Sequence, residues 1–362
     1  MEHQPEGNAI VYCEGAYKTT NGKTAHGLVR MTRRYNVVAV VDSTCAGQDA
    51  GTILDDRERG IPILASVEDA VKTAEETGAP AQYLVMGLAP EGGGLPPESQ
   101  KDMKAALELG LHIDSGLHDF LSDDPELAAL AQEKGLTIRD IRKPPARKDL
   151  HFFSGKISQV SCLKIAVLGT DSAVGKRTTA WILVDALTNA GIKTEMIGTG
   201  QTAWMQGARY GIILDSLVND FVAGELEHAV FSAWREQHPE VIIVEGQGSL
   251  MNPAYPGGFE IMAAARPDVM IVQHAPARKE YDGFPGYPIH RLEKQIKAIE
   301  LISEKPVVAV TINHEGLSAE DVAKEAVSIA DTTGLPAVDV LLEGPDRLVD
   351  LIADLVQERQ PD

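Results

Sequence analysis

The sequence lacks the features that mark membrane, secreted and disulfide-rich proteins. No apolar run in its 362 residues reaches the ~18 residues that a membrane-spanning helix needs. Its first residues contain neither a basic region nor an apolar stretch, so no signal peptide is expected. The cysteines Cys13, Cys45 and Cys162 lie far apart and form neither a disulfide framework nor a C-x-x-C metal pair. We therefore expect a cytoplasmic protein without a dedicated metal site.

Basic residues are also scarce. The chain has 33 Lys and Arg against 53 Asp and Glu, which gives a formal net charge of −20. This balance argues against nucleic acid as a partner, because binding to nucleic acid depends on clustered cations that neutralise phosphates. An anionic ligand must instead be held by a local group of donors against an unfavourable overall field. We expect a homo-oligomer that acts on a small molecule, with no nucleic-acid or membrane partner.

Short apolar runs alternate with amphipathic helical stretches, a pattern typical of parallel sheets with crossover helices. Prolines and basic residues interrupt this pattern at 143–149, so two α/β domains are predicted, residues 1–150 and 151–362. Strands are predicted at 8–13, 36–42, 61–64, 82–87, 110–114, 136–141, 164–169, 193–198, 241–245, 269–274, 306–313 and 336–342.

A glycine-bounded loop with a lysine follows the buried strand that begins at Lys164. It reads Gly169-Thr-Asp-Ser-Ala-Val-Gly-Lys-Arg-Thr-Thr179, and a helix is predicted after it at 178–190. This strand–loop–helix context is typical of a phosphate-binding P-loop, whose main-chain N–H groups, helix start and lysine hold phosphate oxygens. The predicted cosubstrate-binding residues are Gly169, Thr170, Asp171, Ser172, Ala173, Val174, Gly175, Lys176, Arg177, Thr178 and Thr179.

This loop departs from the common P-loop pattern in two respects. Five residues separate Gly169 from Gly175, where the common pattern has four. Arg177 occupies the position of the hydroxyl residue that normally holds magnesium, and Thr178 comes one place later. Either Thr178 substitutes for that residue, or metal is not bound as in a standard ATPase. Arg177 also adds a second cation, which suits a ligand with several phosphates.

The P-loop resembles that of dethiobiotin synthetase and its relatives, which are P-loop enzymes that act on carboxylates and carbamates. Val244-Glu-Gly-Gln-Gly-Ser249 resembles the second motif of that group, an acidic residue followed by small residues at a strand end. Asn313 occupies a place where the group often has a base-contacting asparagine. The resemblance covers roughly residues 164–345 and indicates a superfamily rather than a reaction.

Residues 273–290 carry the densest chemistry in the sequence. They follow the predicted strand 269–274 directly, so they are expected at the carboxyl edge of the sheet, beside the P-loop and Glu245. Glu245 either holds magnesium, acts as a general base with a pKa raised by burial, or braces Lys176. The groups that can serve as acid, base or anion holder in this segment are His274, Arg278, Lys279, Tyr281 and Asp282; His274 is a catalyst or a structural donor.

Two further loops are candidate ligand segments. Residues 198–211 are rich in glycine and contain Arg209, so they form either a substrate loop or a simple connection. The loop after the first strand lacks G-x-G-x-x-G, so it gives only a weak indication of dinucleotide binding. It contains Lys18, and it either holds an anionic ligand or caps a helix. Asp42 ends the second predicted strand, where a ribose-binding acid would lie.

The P-loop, the Glu245 motif and His274-Ala-Pro-Ala-Arg-Lys-Glu-Tyr-Asp-Gly-Phe284 together closely resemble the D-glutamate N-acetyltransferase family, first described as a domain of unknown function. The resemblance spans nearly the whole chain, and the third motif is the most specific. It implies an α/β fold in which a Rossmann-like N-terminal domain precedes a P-loop NTPase-like domain with a mostly parallel sheet. It also implies transfer of acetyl from acetyl-CoA to D-glutamate, the first step of a catabolic route.

The physical chemistry of the site is compatible with this activity. The P-loop can hold the CoA phosphates, and His274 or Glu245 can deprotonate the substrate ammonium. Arg278, Arg209 or Lys279 can clamp the substrate carboxylates, for which an arginine fork is the better partner. The rival is an ATP-dependent kinase or ligase in which Thr178 and Glu245 hold magnesium and Asn313 contacts adenine. A nucleotide-sensing regulatory protein is the third alternative, and it leaves residues 273–290 without a role.

Overall fold

The computed structural model describes residues 4–359, which form two compact units. The first unit consists of the chain up to Pro145 together with residues 201–208. The second consists of residues 146–200 and the chain from Arg209 onward. The change between units therefore falls within the segment of prolines and basic residues at 143–149. Within the described residues, no helix is long and apolar enough to cross a membrane.

The first unit contains a parallel sheet whose strands occur in the order β3-β2-β1-β4-β5-β6. Its strands are β1 Gly7–Tyr12, β2 Tyr35–Val41, β3 Ile63–Leu64, β4 Tyr83–Met86, β5 His112–Ser115 and β6 Ile138–Asp140. Its helices are α1 Lys23–Arg30, α2 Ala50–Asp55, α3 Val67–Glu76, α4 Gln100–Glu108 and α5 Pro125–Lys134. The reversal of strand order at β1 is typical of a Rossmann-like sheet.

Residues 201–208 leave the second half of the sequence and pack with the first unit. They include a short helix over Gln201–Met205, and the Met205 side chain is fully buried in the core of that unit. The Gln206 side chain donates to the carbonyls of Gly27 and Met31, each at 2.9 Å. The interpretation of 198–211 as one substrate loop is therefore replaced by a packed helix at its centre.

The second unit contains a longer parallel sheet, ordered β13-β12-β11-β7-β10-β8-β9. Its strands are β7 Leu163–Gly169, β8 Thr194–Gly198, β9 Tyr210–Gly211, β10 Val241–Glu245, β11 Val269–His274, β12 Val307–Ile312 and β13 Ala337–Val338. With the helix over Gln201–Met205 numbered α7, the helices of this unit are α6 Lys176–Asn189, α8 Asn219–Gln237, α9 Leu292–Ser303, α10 Ala319–Thr333 and α11 Asp346–Gln357.

The residue pattern of the second sheet explains where its core and its site lie. All residues of β7 and β10 are buried, as expected for central strands with helices on both faces. Parallel strands place their carboxyl ends at one edge, so Gly169, Glu245 and His274 end neighbouring strands at the same edge. The register aligns Gln273 with Gly169 and Glu245 with Val167. This edge is where α/β sheets bind ligands.

The predicted strands are confirmed except at the far edge of the second sheet. The predicted strand 336–342 shortens to Ala337–Val338, because Leu341 and Leu342 turn into solvent after it. Tyr210–Gly211 forms an edge strand that was not predicted, since two residues give no periodic signal.

Candidate functional site

The P-loop joins β7 to α6 through a backbone that only particular residues adopt easily. Gly175 has a φ of 103° and Ala173 a φ of 50°, both in the left-handed region. A non-glycine residue there carries strain, which is a common feature of binding sites. Gly175 is also the N-cap of the 14-residue helix α6 and has no side chain with which to cap it. The first N–H groups of α6 are therefore available to an anion, whose charge the helix start favours.

Lys176 lies buried across the loop and donates to two main-chain oxygens. Its Nζ is 2.6 Å from the Asp171 carbonyl oxygen and 2.8 Å from that of Gly248. Gly248 has a φ of 45°, and a Cβ at this position would lie 1.9 Å from the Tyr255 carbonyl oxygen. No other residue type fits there without displacing the main chain. The second motif thus supports the P-loop lysine through its backbone.

The Asp171 carboxylate is the centre of a buried network that ties two further segments to the P-loop. Its side chain has 0% exposure. One oxygen accepts from the Ser172 N–H at 2.7 Å and from Asn252 Nδ2 at 2.8 Å. The other accepts from Arg278 Nη1 at 2.9 Å and from the Asp282 N–H at 2.8 Å. Asp171 therefore organises the site rather than facing a ligand, which its sequence position alone did not reveal.

Arg278 reaches from the Asp171 network to the surface. Its Nη1 also donates to the Ser172 carbonyl oxygen at 2.8 Å, and its Nη2 contacts Glu315 Oε2 at 2.6 Å. The Glu315 side chain is 57% exposed, whereas that of Arg278 is mostly buried. Lys279 beside it is exposed. Arg278 consequently has two fixed partners in the P-loop, Asp171 and Ser172, and a third, Glu315, at a position that solvent or a ligand can reach.

The remaining acid and phenol of this segment also lie at the P-loop. Asp282 Oδ2 is 3.5 Å from the Ser172 hydroxyl oxygen, a long hydrogen bond. Tyr281 is buried, and its hydroxyl is 2.9 Å from His290 Nδ1. Burial raises the pKa of the Tyr281 phenol above its ordinary value, so this group stays neutral at ordinary pH.

Glu245 is a buried carboxyl group at the end of β10, next to the cations of the P-loop. Its Oε2 accepts from the Thr199 N–H at 2.8 Å, and the Thr199 hydroxyl donates to the Glu245 carbonyl oxygen at 3.0 Å. Burial raises the pKa of Glu245, while the charges of Arg177 and Lys176 and the bond from Thr199 oppose that rise. A carboxyl group with a raised pKa is suited to exchange protons near neutral pH.

His274 lies at the end of β11, where its Nδ1 is 3.0 Å from the Thr170 hydroxyl oxygen. Burial lowers the pKa of His274 to about 4, so the imidazole is neutral over the usual working range. A neutral imidazole can exchange a hydrogen bond with Thr170 and so orient the P-loop. Its low pKa makes it a weaker base than an ordinary histidine.

Asn313 and Thr179 bond to protein groups at this edge. Asn313 Nδ2 donates to the Val174 carbonyl oxygen at 2.9 Å, and its Oδ1 accepts from the Glu315 N–H at 2.9 Å. The Thr179 hydroxyl donates to Gln273 Oε1, which also accepts from Thr311. Thr178 lies half-buried on the first turn of α6. Asn313 therefore supports the P-loop from the β12 side.

Arg209 lies away from the P-loop in the second unit, and Lys18 belongs to the first unit. Arg209 is exposed and donates to Glu195 Oε1 at 2.8 Å. Glu195 pairs with Ile242 of β10, three residues before Glu245 and therefore away from the carboxyl edge. Lys18 is exposed in the first unit and lines a cavity of about 440 Å³ there. Asp42, also in that unit, accepts from the Tyr17 N–H at 2.8 Å and caps the turn that follows β2. It braces both the loop after β1 and the turn after β2.

Three members of the hydrogen-bond network at this edge were not named individually from the sequence: Asn252, Thr199 and Gln273. Asn252 precedes Pro253 and therefore carries a turn signal, and its Oδ1 accepts from the N–H groups of Ala254 and Tyr255. No spacing rule links that turn to Asp171, 81 residues earlier. Thr199 follows β8 and Gln273 is the penultimate residue of β11, and this position at the site edge is their sequence signal. Within residues 4–359, no group of three or more His, Cys, Asp or Glu side chains is arranged to hold a metal ion.

Comparison with known proteins covers both units. Residues 151–349 match a domain of unknown function described as the DUF1611_C P-loop domain. Residues 43–144 match a domain of unknown function described as the DUF1611_N Rossmann-like domain. These matches confirm the predicted fold class in both halves of the chain.

The chain is also similar to two curated proteins called D-glutamate N-acetyltransferase. It is 33% identical over 285 residues to the one from Tritonibacter scottomollicae, which covers 77% of this chain and 83% of that protein. It is 31% identical over 276 residues to the one from a Pseudoalteromonas species, which covers 74% and 80%. A crystal structure of a DUF1611 family protein from Anabaena variabilis matches with a TM-score of 0.88 and 31% identity. That match covers 96% of this chain and 100% of the other.

Proposed function

The chain belongs to the DUF1611 family and is an acyltransferase, and we propose that it moves the acetyl group of acetyl-CoA to the amino group of D-glutamate. The observation that carries the proposal is the position of Glu245, a buried carboxyl group with a raised pKa beside the cations of a P-loop. The P-loop cations can bind a phosphate-bearing acyl donor, and the Glu245 carboxylate can accept a proton from an amine next to that donor. Similarity to two proteins named D-glutamate N-acetyltransferase supports the choice of acetyl group and acceptor.

The P-loop suits the phosphates of acetyl-CoA. This cosubstrate carries a pyrophosphate and a ribose 3′-phosphate, which need several donors in a chain whose net charge is −20. The first turn of α6 supplies main-chain N–H groups, and Lys176 and Arg177 supply two positive charges. Binding of this kind requires no hydrolysis and no bound metal.

The transfer itself requires one proton acceptor at the amine. The D-glutamate ammonium gives a proton to the Glu245 carboxylate, and the free amine attacks the thioester carbonyl carbon. A C–N bond forms and the C–S bond breaks, and the nitrogen gives its second proton to the leaving CoA thiolate, so the products are the amide and free CoA thiol. A raised pKa improves Glu245 as a base, because a base works best when its pKa is close to the pH of the solution.

Arg278 and Lys279 are the proposed carboxylate holders. The Arg278 guanidinium keeps Nη1 on Asp171 while Nη2 contacts the exposed Glu315. A substrate carboxylate can therefore replace Glu315 at Nη2 without disturbing the P-loop. Exchange of one carboxylate for another keeps the cation paired, which limits the cost of binding.

The proposal predicts acetyl transfer without ATP. Mixing the protein with acetyl-CoA and a panel of D- and L-amino acids should release thiol with D-glutamate, at a rate unchanged by a magnesium chelator. The physical reason is that Arg177 occupies the position of the metal-holding hydroxyl. Strict dependence on Mg-ATP, with ADP formed in step with product, would instead identify a kinase or ligase. Release with L-glutamate alone would reject the stereochemistry.

Lys176→Ala is expected to weaken CoA binding on the order of 100-fold, because a charge-assisted contact to phosphate is lost. Titration calorimetry with CoA measures this change. Two main-chain oxygens also lose a donor, so the unfolding temperature must be measured beside the affinity. Lys305→Ala is the matched control, since Lys305 is exposed and precedes β12 at the opposite edge of the sheet. Unchanged CoA affinity in Lys176→Ala would show that the loop is structural.

A further inference from the structure

Two aromatic side chains, Tyr255 and Phe284, meet beside the P-loop. Their ring centroids are 6.3 Å apart and the ring planes make an angle of 65°. Tyr255 is 58% exposed, and Phe284 is half-buried. Large aromatic surface left in water at a binding edge is available to stack on a ligand. Neither ring has a role in the acetyl transfer described above.

Both rings are carried by segments that are anchored to the same P-loop carboxylate. The Tyr255 N–H donates to Asn252 Oδ1 at 2.8 Å, and Asn252 Nδ2 donates to Asp171 at 2.8 Å. Phe284 lies two residues after Asp282, whose N–H donates to Asp171 at 2.8 Å. The two segments come from different parts of the chain, and the buried Asp171 network brings their aromatic residues together. The geometry therefore fixes the ring pair relative to the phosphate-binding loop.

The residue that the sequence suggested for base contact is already engaged. Each end of the Asn313 amide has a protein partner, the Val174 carbonyl oxygen and the Glu315 N–H. The amide keeps one N–H and one lone pair for a base, so a stacking surface would add to the few hydrogen bonds that Asn313 still offers. An aromatic ring can stack on any base, and its removal typically weakens binding roughly 5- to 100-fold.

We propose that Tyr255 and Phe284 form the subsite for the adenine ring of the phosphate-bearing cosubstrate. Adenine is common to CoA and to ATP, so the subsite rests on the proposed function only for the choice between them. Tyr255 contacts Gly248 and Ser249 through its main chain and its Cβ, which alanine retains. Replacing its side chain should therefore remove the stacking surface and leave the support of Lys176 intact.

The test is titration calorimetry of Tyr255→Ala with CoA, ADP and inorganic pyrophosphate. CoA affinity should fall roughly 5- to 100-fold, as expected for loss of one stacking partner. Pyrophosphate affinity should not change, because this probe has phosphates but no base. Tyr255→Phe should bind CoA as the unchanged protein does, since it keeps the ring. Phe284→Leu provides a second variant if Tyr255→Ala does not fold.

Phe152→Ala is the matched control for removal of an exposed aromatic ring. Phe152 is 71% exposed, and its ring centroid lies 6.4 Å from that of Phe221 in an edge-to-face arrangement. Phe152 and Phe221 therefore resemble the pair formed by Tyr255 and Phe284. This variant should bind CoA normally. Equal losses of CoA and pyrophosphate affinity in Tyr255→Ala would overturn the subsite, and so would unchanged CoA affinity in both Tyr255→Ala and Phe284→Leu. If ADP binds, CoA does not, and Tyr255→Ala weakens ADP, the subsite stands while the acetyltransferase proposal fails.

Discussion

Glu245→Gln is expected to reduce turnover roughly 10²–10⁴-fold, the usual contribution of a general base. Glutamine keeps an oxygen that can accept from the Thr199 N–H, so the local structure should persist. The loss should appear in kcat, with little change in the affinity for CoA, because the phosphates are held by the P-loop. Steady-state rates with D-glutamate and calorimetry with CoA separate the two effects.

The pH dependence gives this prediction a sign. Only the carboxylate form of Glu245 can accept a proton, and burial raises its pKa above the ordinary carboxyl value. The rate should therefore fall as the pH drops through that raised value, and the acidic limb should vanish from the residual rate of Glu245→Gln. Folding favours the neutral form of such a group, so its ionisation costs stability as the pH rises. The unfolding temperature of Glu245→Gln should accordingly not be lower than that of the unchanged protein at pH 8.

His274→Ala is the comparison variant for this experiment. Burial lowers the pKa of His274 to about 4, so its protonation cannot produce an acidic limb that lies above this value. We expect His274→Ala to keep the limb in place and to change turnover less than Glu245→Gln does. Normal turnover in Glu245→Gln, with a large loss and a shifted limb in His274→Ala, would transfer the role of base to His274.

The sequence predicted the second sheet and the P-loop well because both depend on local signals. Runs such as Val241–Glu245 are apolar on both faces, and a glycine-bounded loop between strand and helix has few alternatives. The carboxyl-edge rule for parallel strands also predicts that Glu245 and His274 lie beside the loop, as the sheet order shows.

The roles of individual side chains were harder to predict because they depend on contacts that are distant in sequence. The sequence offers Arg278 as a partner for a substrate carboxylate, but in the fold its guanidinium already donates to Asp171, 107 residues earlier. Asn252 has no motif of its own and was missed. The pKa of His274 departs from about 6.5 because the folded chain buries it, which no pattern of neighbouring residues reports. Residue type predicted which groups gather at the edge, and the tertiary contacts decide which of them are available.

Asp171→Asn should be the most disruptive conservative substitution at this site. The carboxylate accepts two hydrogen bonds at each oxygen, from Ser172 and Asn252 on one side and from Arg278 and Asp282 on the other. An asparagine amide has one accepting oxygen, so either orientation sets its NH2 group against two donors. The substitution also removes the negative charge that pairs with the mostly buried Arg278 guanidinium. Breaking a buried ion pair in this way costs about 3–5 kcal/mol.

The expected result is an unfolding temperature lowered by roughly 6–20 °C for the second unit. Hydrogen exchange should accelerate at the amides of residues 249–257 and 276–288, because both segments lose their anchor on the P-loop. Glu315→Gln is the matched control, since it removes the other, exposed carboxylate from the same guanidinium and should cost no more than about 1 kcal/mol. If both variants shift the unfolding temperature equally and leave exchange in the two segments unchanged, Asp171 is not the group that holds them. If only Asp171→Asn releases them, CoA binding should fall with it, because the P-loop, the Lys176 support and the aromatic pair all depend on segments that meet at this carboxylate.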